Sequence, residues 1–479
     1  MRQSPAPAAS AAGGALPLRS SRQRELTKPR AHHDGLLVRP GWTGPLRRPL
    51  LPGRPRVDAV VVPAGRAYAR SADVLDRLAA FAARVGAVLV VVASRDADAA
   101  LLAGVAPLRH PHVAVLDLSD AAEPAWRGLL PDLVVDRHPL GLASLPDEWD
   151  TSVKRNVALA LGTVLGWRTV LFLDDDIVLR RGAPVPLRRL AVGCALVERG
   201  AVAAAGFIST DFPDNSVVCH ARRVARMPQG VFLGAGALLV AVDDRTPFFP
   251  RIYNEDWLFQ YPLLRDAPGD PGRIAVLGEV RQRPYEPFRR ERAQREELGD
   301  VLAEGLYQLK DGAAAGRAPR RDDMEDPGFW KDVLAERAAM IAAVRERLVV
   351  TDADRSAAGR QKTWARHAKR LLRGALQRPV RPLWRAYQTA HRAGVRDRAR
   401  AALVVSLQQH DLRPGDVALA DALGSWVTAW QADLRTWREH EVPADLARAL
   451  LTDPGTTPWL GADVLGRARS RGLVTSAAV

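Results

Sequence analysis

Short runs of aliphatic and β-branched residues recur through the first part of the chain. Those at Val57–Pro63, Ala87–Ala93, His112–Asp117 and Thr169–Asp174 are continuously apolar rather than alternating. That pattern predicts strands buried on both faces, as in a parallel sheet. Between the first two, Ala72–Val85 brings Val74, Leu75, Leu78 and Ala82 to one side at helical spacing. A second helix is predicted over Asp150–Leu165, with Val153, Val157, Leu161 and Val164 aligned. Further strands are expected at Val202–Ile208, Ala237–Val242 and Ile274–Gly278. After about Gln294 the strand pattern stops. Residues 329–348, 362–377, 383–409 and 415–437 read as helices, broken by Pro379 and Pro382. The prediction is α/β: a Rossmann-like, mostly parallel sheet flanked by helices over 57–290, then an all-α C-terminal region over 291–479. In such sheets ligands bind beyond the carboxyl ends of the strands, so chemistry is expected just after each run.

Composition narrows the classes. The chain has 479 residues, 47% hydrophobic and 26% charged, enough to bury a core over more than one domain. Two cysteines, Cys194 and Cys219, exclude a disulfide scaffold. The formal charge of +15 suggests an anionic partner, but it is concentrated. Residues 1–56 hold eleven Lys/Arg against two Asp/Glu, and 355–400 hold fourteen against one, leaving the remainder net negative. Residues 1–56, rich in Pro, Ala, Gly and Arg, read as a disordered basic arm. No apolar stretch follows Arg2 as in a secretory signal, and none has the length of a membrane span. The expectation is a cytoplasmic protein. In 355–400, Trp364, Leu371, Leu372 and Ala375 set against Arg366, Lys369, Arg370 and Arg373 fit a helix lying on an anionic membrane surface. They fit equally a helix packed on the α/β part with a solvated arginine face.

The segment Thr169-Val-Leu-Phe-Leu-Asp-Asp-Asp-Ile-Val-Leu179 carries the strongest chemical signal. Three adjacent carboxylates repel one another and are costly to desolvate, so buried flanks on both sides imply a cation. In extended chain Asp174 and Asp176 would face the same side and converge on one ion. Oxygen ligands suit Mg²⁺ or Mn²⁺, usually shared with a substrate phosphate.

This segment resembles the D-x-D motif of GT-A fold glycosyltransferases of the family-2-like group. The resemblance covers about 57–290 and rests on motifs in a fixed order. The first strand ends Pro63-Ala-Gly-Arg66 and the second Ser94-Arg-Asp96. Lys154-Arg155-Asn156 comes next, then the aspartates, Gly234-Ala-Gly236, and Asn254-Glu255-Asp256-Trp257. It implies a GT-A-like sheet, a nucleotide diphosphate sugar as donor, a hydroxyl acceptor and a divalent cation. It also implies a hexosyltransferase-type, inverting enzyme. Pro63, Arg66, Asp96, Lys154, Arg155, Asn156, Asp174, Asp175, Gly234 and Gly236 would contact the nucleotide sugar. Asp174 and Asp176 would ligate the metal. Asp256, with Glu255 hard to separate from it, would be the base that takes the acceptor's proton.

Several of these residues have a plainer reading. Lys154 and Arg155 could be neutralised by Asp147, Glu148 and Asp150 near the start of their helix. Asn254 followed by two acids is also an ordinary helix N-terminus. The two glycines could let backbone approach a sugar or simply form a turn. His220 is a candidate third metal ligand or a structural histidine. Trp384, Trp426, Trp430 and Trp437 read as core. Two other functions compete. A haloacid-dehalogenase-type phosphatase would use Asp174 as nucleophile and Asp176 as acid/base, with Ser209 or Thr210, but lacks a well-placed downstream lysine before Lys310. A nucleic-acid-binding protein would use the two basic segments and leave the aspartates without a role.

Overall fold

The computed structural model describes residues 55–104, 111–119, 126–144, 150–178, 183–209, 216–227, 232–264, 273–283, 286–314, 324–349, 381–408 and 418–454, with scattered positions from there to Ser470. The arm at 1–54, the predicted helix at 362–377, and Thr210, Asp147 and Glu148 lie outside the described residues. Within the basic segment, the helix from Arg381 is described, with side chains from residue 394 onward; Trp384 is not among them.

Among the described residues, eight strands form one sheet: β1 Ala59–Ala64, β2 Val88–Ala93, β3 Val113–Asp117, β4 Thr169–Leu173, β5 Ala204–Ser209, β6 Ala237–Ala241, β7 Ile274–Val280 and β8 Trp459–Leu460. Their order is β7-β5-β6-β4-β1-β2-β3-β8. β1 to β4 run parallel to one another, and β5 is parallel to β7. β6 and β8 are antiparallel to their neighbours. The mixed, mostly parallel arrangement is the one the apolar runs predicted. β8 is an addition to it: two residues near the C-terminus return to pair with β3.

The helices are α1 Tyr68–Val85, α2 Ala99–Gly104, α3 Pro139–Ser144, α4 Thr151–Leu165, α5 Leu187–Glu198, α6 Val217–Val224, α7 Glu255–Gln260, α8 Arg290–Ala314, α9 Pro327–Arg347, α10 Arg381–Gln408, α11 Ala418–Glu439 and α12 Ala444–Thr452. Strand residues alternate between two apolar layers. Val61, Val90 and Phe172 pack with α4 on one face. Val60, Leu89 and Leu171 pack with α1 and α5 on the other. Burial on both faces is why the strands carry no polar alternation.

A third core joins the C-terminal helices to the α/β part. Trp330, Trp426 and Trp430 pack with Leu140, Phe248, Leu258 and Tyr261. Trp426 and Trp430 are 1% exposed, and Trp437 is half-buried against Phe248. These tryptophans are core, as their helical setting suggested. Among the described residues, no helix is long and apolar enough to cross a membrane.

Candidate active site

The chain leaves β1 toward β2 and β3 on one side of the sheet, whereas β4 lies on the other side of β1. Parallel neighbours whose onward connections diverge leave a crevice at their carboxyl ends. Gly65-Arg66 follows β1 and Asp174-Asp-Asp176 follows β4, so the crevice gathers both. The three aspartates are not in extended chain, however. Ile177 N–H donates to the Asp174 carbonyl at 3.2 Å, so the chain turns as soon as β4 ends. The alternation that was to bring Asp174 and Asp176 to one side does not operate there. The turn brings them near each other instead: both burial and the Asp174 charge raise the Asp176 pKa.

Arg66 bridges the second and third aspartates. One guanidinium nitrogen bonds Asp175, and the other reaches Asp176 Oδ2 at 3.0 Å. The Arg66 side chain is 46% exposed while both carboxylates are buried. Gln282 Nε2 donates to Asp176 Oδ1 at 3.2 Å. Asp175 Oδ2 is buried with no hydrogen-bond partner among the described residues. Burial, augmented by Asp176 and Asp174 and opposed by Arg66, pushes the Asp175 carboxyl up to about 6. The cluster holds more buried negative charge than its cations offset, which is the condition a bound cation relieves.

Arg155 is the second organising cation. It lies on the first turns of α4, 3% exposed, with Nη1 on Glu255 Oε1 at 2.6 Å and Nη2 on Asp174 Oδ1 at 3.1 Å. Its guanidinium lies over the Phe249 ring, 5.3 Å from the centroid. One buried arginine thus joins the aspartate turn to the acidic pair at the head of α7. Lys154, its neighbour, is neutralised by Asp150 at 3.0 Å and donates to the Ala64 carbonyl at 2.7 Å. The local-neutralisation reading therefore holds for Lys154 and fails for Arg155. Asp150 occupies the N-cap position of α4 without capping it. Its carboxylate also accepts from the Ser94 hydroxyl, so Asp150 ties the end of β2 to α4, as Lys154 ties the end of β1.

Glu255 and Asp256 open α7 and line a cavity of about 210 Å³ together with Arg155, Asp174, Ser209, Phe232, Trp257 and Gln282, among others. Burial, reinforced by Asp256 and opposed by Arg155, pushes the Glu255 carboxyl up to about 7. Burial also raises Asp256, against the pull of Arg155. Among the described residues no arginine bonds Asp256; its Oδ2 accepts from Ala235 N–H and its Oδ1 from Trp257 N–H, each at 2.9 Å. Trp257 stacks on Phe232 at 3.3 Å between centroids, which walls the cavity with aromatic surface.

The glycines approach the protein's own carboxylates. A Cβ on Gly236 would lie 2.9 Å from Asp174 Oδ2, and one on Gly234 would lie 3.2 Å from Asp256 Oδ2. Other candidates stand aside. Asn156 gives both ends of its amide to the Phe249 backbone, at 2.8 Å each, so it fastens α4 to that segment and does not line the cavity. Pro63 is inside β1, paired with Val92. Asp96 is exposed on the turn after β2, likewise outside the cavity lining. His220 lies edge-on to Phe288, its pKa lowered to about 3 by burial, and is absent from the lining. Among the described residues, no three His, Cys, Asp or Glu side chains form a ready-made metal cage. Gln282 and Phe249 were not singled out from sequence, and Ser94 entered only as the first residue of the Ser94-Arg-Asp96 motif. Gln282 had a faint signal in the polar run Arg281-Gln-Arg283; Phe249 had none.

The chain matches no protein-family model and no curated protein sequence. Twelve solved chains match in structure. One is glucosyl-3-phosphoglycerate synthase from Mycobacterium tuberculosis in complex with Mn²⁺, uridine diphosphate and phosphoglyceric acid. It is 16% identical, with a TM-score of 0.33, over 62% of this chain and 88% of that one. The same enzyme in complex with uridine diphosphate is 18% identical, with a TM-score of 0.32, over 61% and 90%.

Proposed function

We propose that the protein transfers a sugar from a nucleotide diphosphate sugar to a hydroxyl acceptor, with a divalent cation at the β4 turn. The observation that carries this reading is the buried aspartate turn at the switch point of the sheet, joined through Arg155 to a second acidic pair across a cavity. The residues fit a hard cation. Asp174 and Asp176 offer oxygen ligands, Asp175 has a buried oxygen with no partner among the described residues, and an exposed guanidinium stands where a cation is wanted. Arg66 meets these buried carboxylates from the solvent side, its own side chain 46% exposed, so it would give way to a bound cation. Mn²⁺ or Mg²⁺ bound there would neutralise the donor diphosphate and stabilise the departing nucleotide.

The chain's own residues would do the rest. Arg66, beside the aspartate turn, would offer its positive charge to the diphosphate. Arg155 holds the Asp174 and Glu255 carboxylates in place. Asp256 is the better base of the acidic pair, because Glu255 is committed to Arg155 while Asp256 is held by two backbone N–H groups and lines the cavity. It would take the acceptor hydroxyl's proton as the oxygen attacks the anomeric carbon from the side opposite the nucleotide, which inverts the configuration. A phosphatase would need Asp174 as a free nucleophile, and Arg155 holds it.

The class is tested by thermal shift with a panel of nucleoside diphosphates and sugar nucleotides, with and without Mn²⁺. One nucleotide raising the melting temperature only with the metal is the expected result. Stabilisation by every nucleotide regardless of metal would remove the proposal.

A further inference from the structure

Asn254, which begins the turn into Glu255-Asp256, is held in the left-handed conformation (φ 63, ψ 31). L-residues with a side chain adopt it at a cost, and Asn tolerates it better than most. Asn254 does not use its amide to cap α7. Its Nδ2 donates instead to Asp300 Oδ1, on α8, at 2.7 Å. The other Asp300 oxygen accepts from Arg337 on α9, whose Nε and Nη2 also bond the two Glu297 oxygens at 2.8 and 3.1 Å. Asn254, Asp300, Glu297 and Arg337 are all buried. The helix itself is pressed on the same turn: a Cβ on Gly299 would lie 2.1 Å from the Tyr253 carbonyl oxygen.

A buried ionic network is a poor source of stability, since desolvating its charges costs about what their attraction returns. What it supplies is a fixed position. Here that position is transmitted to one residue, the one immediately before the acidic pair. Asp256 then reaches Ala235 N–H at 2.9 Å on the far side of the cavity.

We propose that Asp300, oriented by Arg337, is a positioning residue that keeps Asn254 left-handed and thereby places the Asp256 carboxylate. This rests on the reading of Asp256 as base. Two substitutions at one site separate backbone conformation from hydrogen bonding. Asn254→Ala and Asn254→Gly remove the same bond, but glycine enters positive φ without steric cost. The kcat of Asn254→Ala falls about tenfold with donor KM unchanged, and Asn254→Gly restores most of it. Asp300→Ala has a comparable effect in the wild-type background and little further effect on Asn254→Gly. In a crystal structure of Asp300→Ala, Asn254 leaves positive φ and Asp256 loses Ala235 N–H. Wild-type kcat in Asn254→Ala would overturn the proposal. So would an Asp300→Ala crystal that keeps both the left-handed turn and the Asp256 contact. The structural arm does not depend on the reaction. A shifted turn in a protein that transfers no sugar supports the positioning and removes the proposed chemistry.

Discussion

Replacing Asp256 by asparagine is expected to lower kcat/KM for transfer by about 10²–10⁴, the usual contribution of a general base. The change is nearly isosteric. The amide oxygen of the substituted side chain can still accept one backbone N–H, and Trp257 keeps its stack on Phe232. Donor KM should therefore hold while the chemical step slows. Glu255→Gln should cost less, about tenfold, because Glu255 serves to neutralise and orient Arg155 rather than to take a proton. Initial rates of both variants with saturating donor check this. A larger loss in Glu255→Gln than in Asp256→Asn would exchange their roles. The pH profile carries the same information. Burial raises the Asp256 carboxyl, and a base works only when ionised, so activity rises with pH along its acid limb. That limb should disappear in Asp256→Asn.

Arg155→Leu is expected to have the largest effect on the molecule as a whole. The substitution leaves buried Glu255 and half-buried Asp174 beside Asp256 without their shared cation. Removing one partner of a buried pair costs about 3–5 kcal/mol. The cost must depend on pH. The Glu255 carboxyl already stands at about 7 against an ordinary 4.5, with Arg155 holding it down. Between those values the native state binds more protons than the unfolded one, so this group's contribution to stability falls as pH rises through the window. Without Arg155 the carboxyl rises further and the window widens upward. Denaturant unfolding of Arg155→Leu should therefore show its full deficit at pH 8 and a smaller one at pH 5.5. Adding Glu255→Gln should recover part of the loss at pH 8, since the two residues are in contact. A deficit independent of pH would mean that lost packing on Phe249, not uncompensated charge, is the cause.

The sheet was legible because its strands are buried on both faces. Continuous runs such as Ala59-Val-Val-Val and Val88-Leu-Val-Val-Val are short and β-branched, which favours a buried strand over a helix. The aspartate turn was legible for the opposite reason, as charge set where the flanks are apolar. The partners were not legible. Arg155 reaches Asp174 and Glu255 from 19 and 100 positions away, and no local spacing announces that. α8 escaped notice because its buried face holds Glu296, Glu297 and Asp300, which break the apolar period. Those acids are tolerable only because Arg337 and Arg292 meet them. Strand alternation does not reach 174–176, because β4 ends at Leu173 and the chain turns at once. Asn254 does not act as a side-chain cap, because its backbone is left-handed rather than in the extended region that capping uses.

The proposed chemistry at the β4 turn requires a divalent cation and the aspartates that hold it. Turnover of a panel of sugar nucleotides with Mn²⁺, by the wild type and by Asp176→Ala, tests this most directly. The predicted result is metal-dependent transfer or hydrolysis of one donor by the wild type and none by the variant. Unchanged turnover in Asp176→Ala would contradict it.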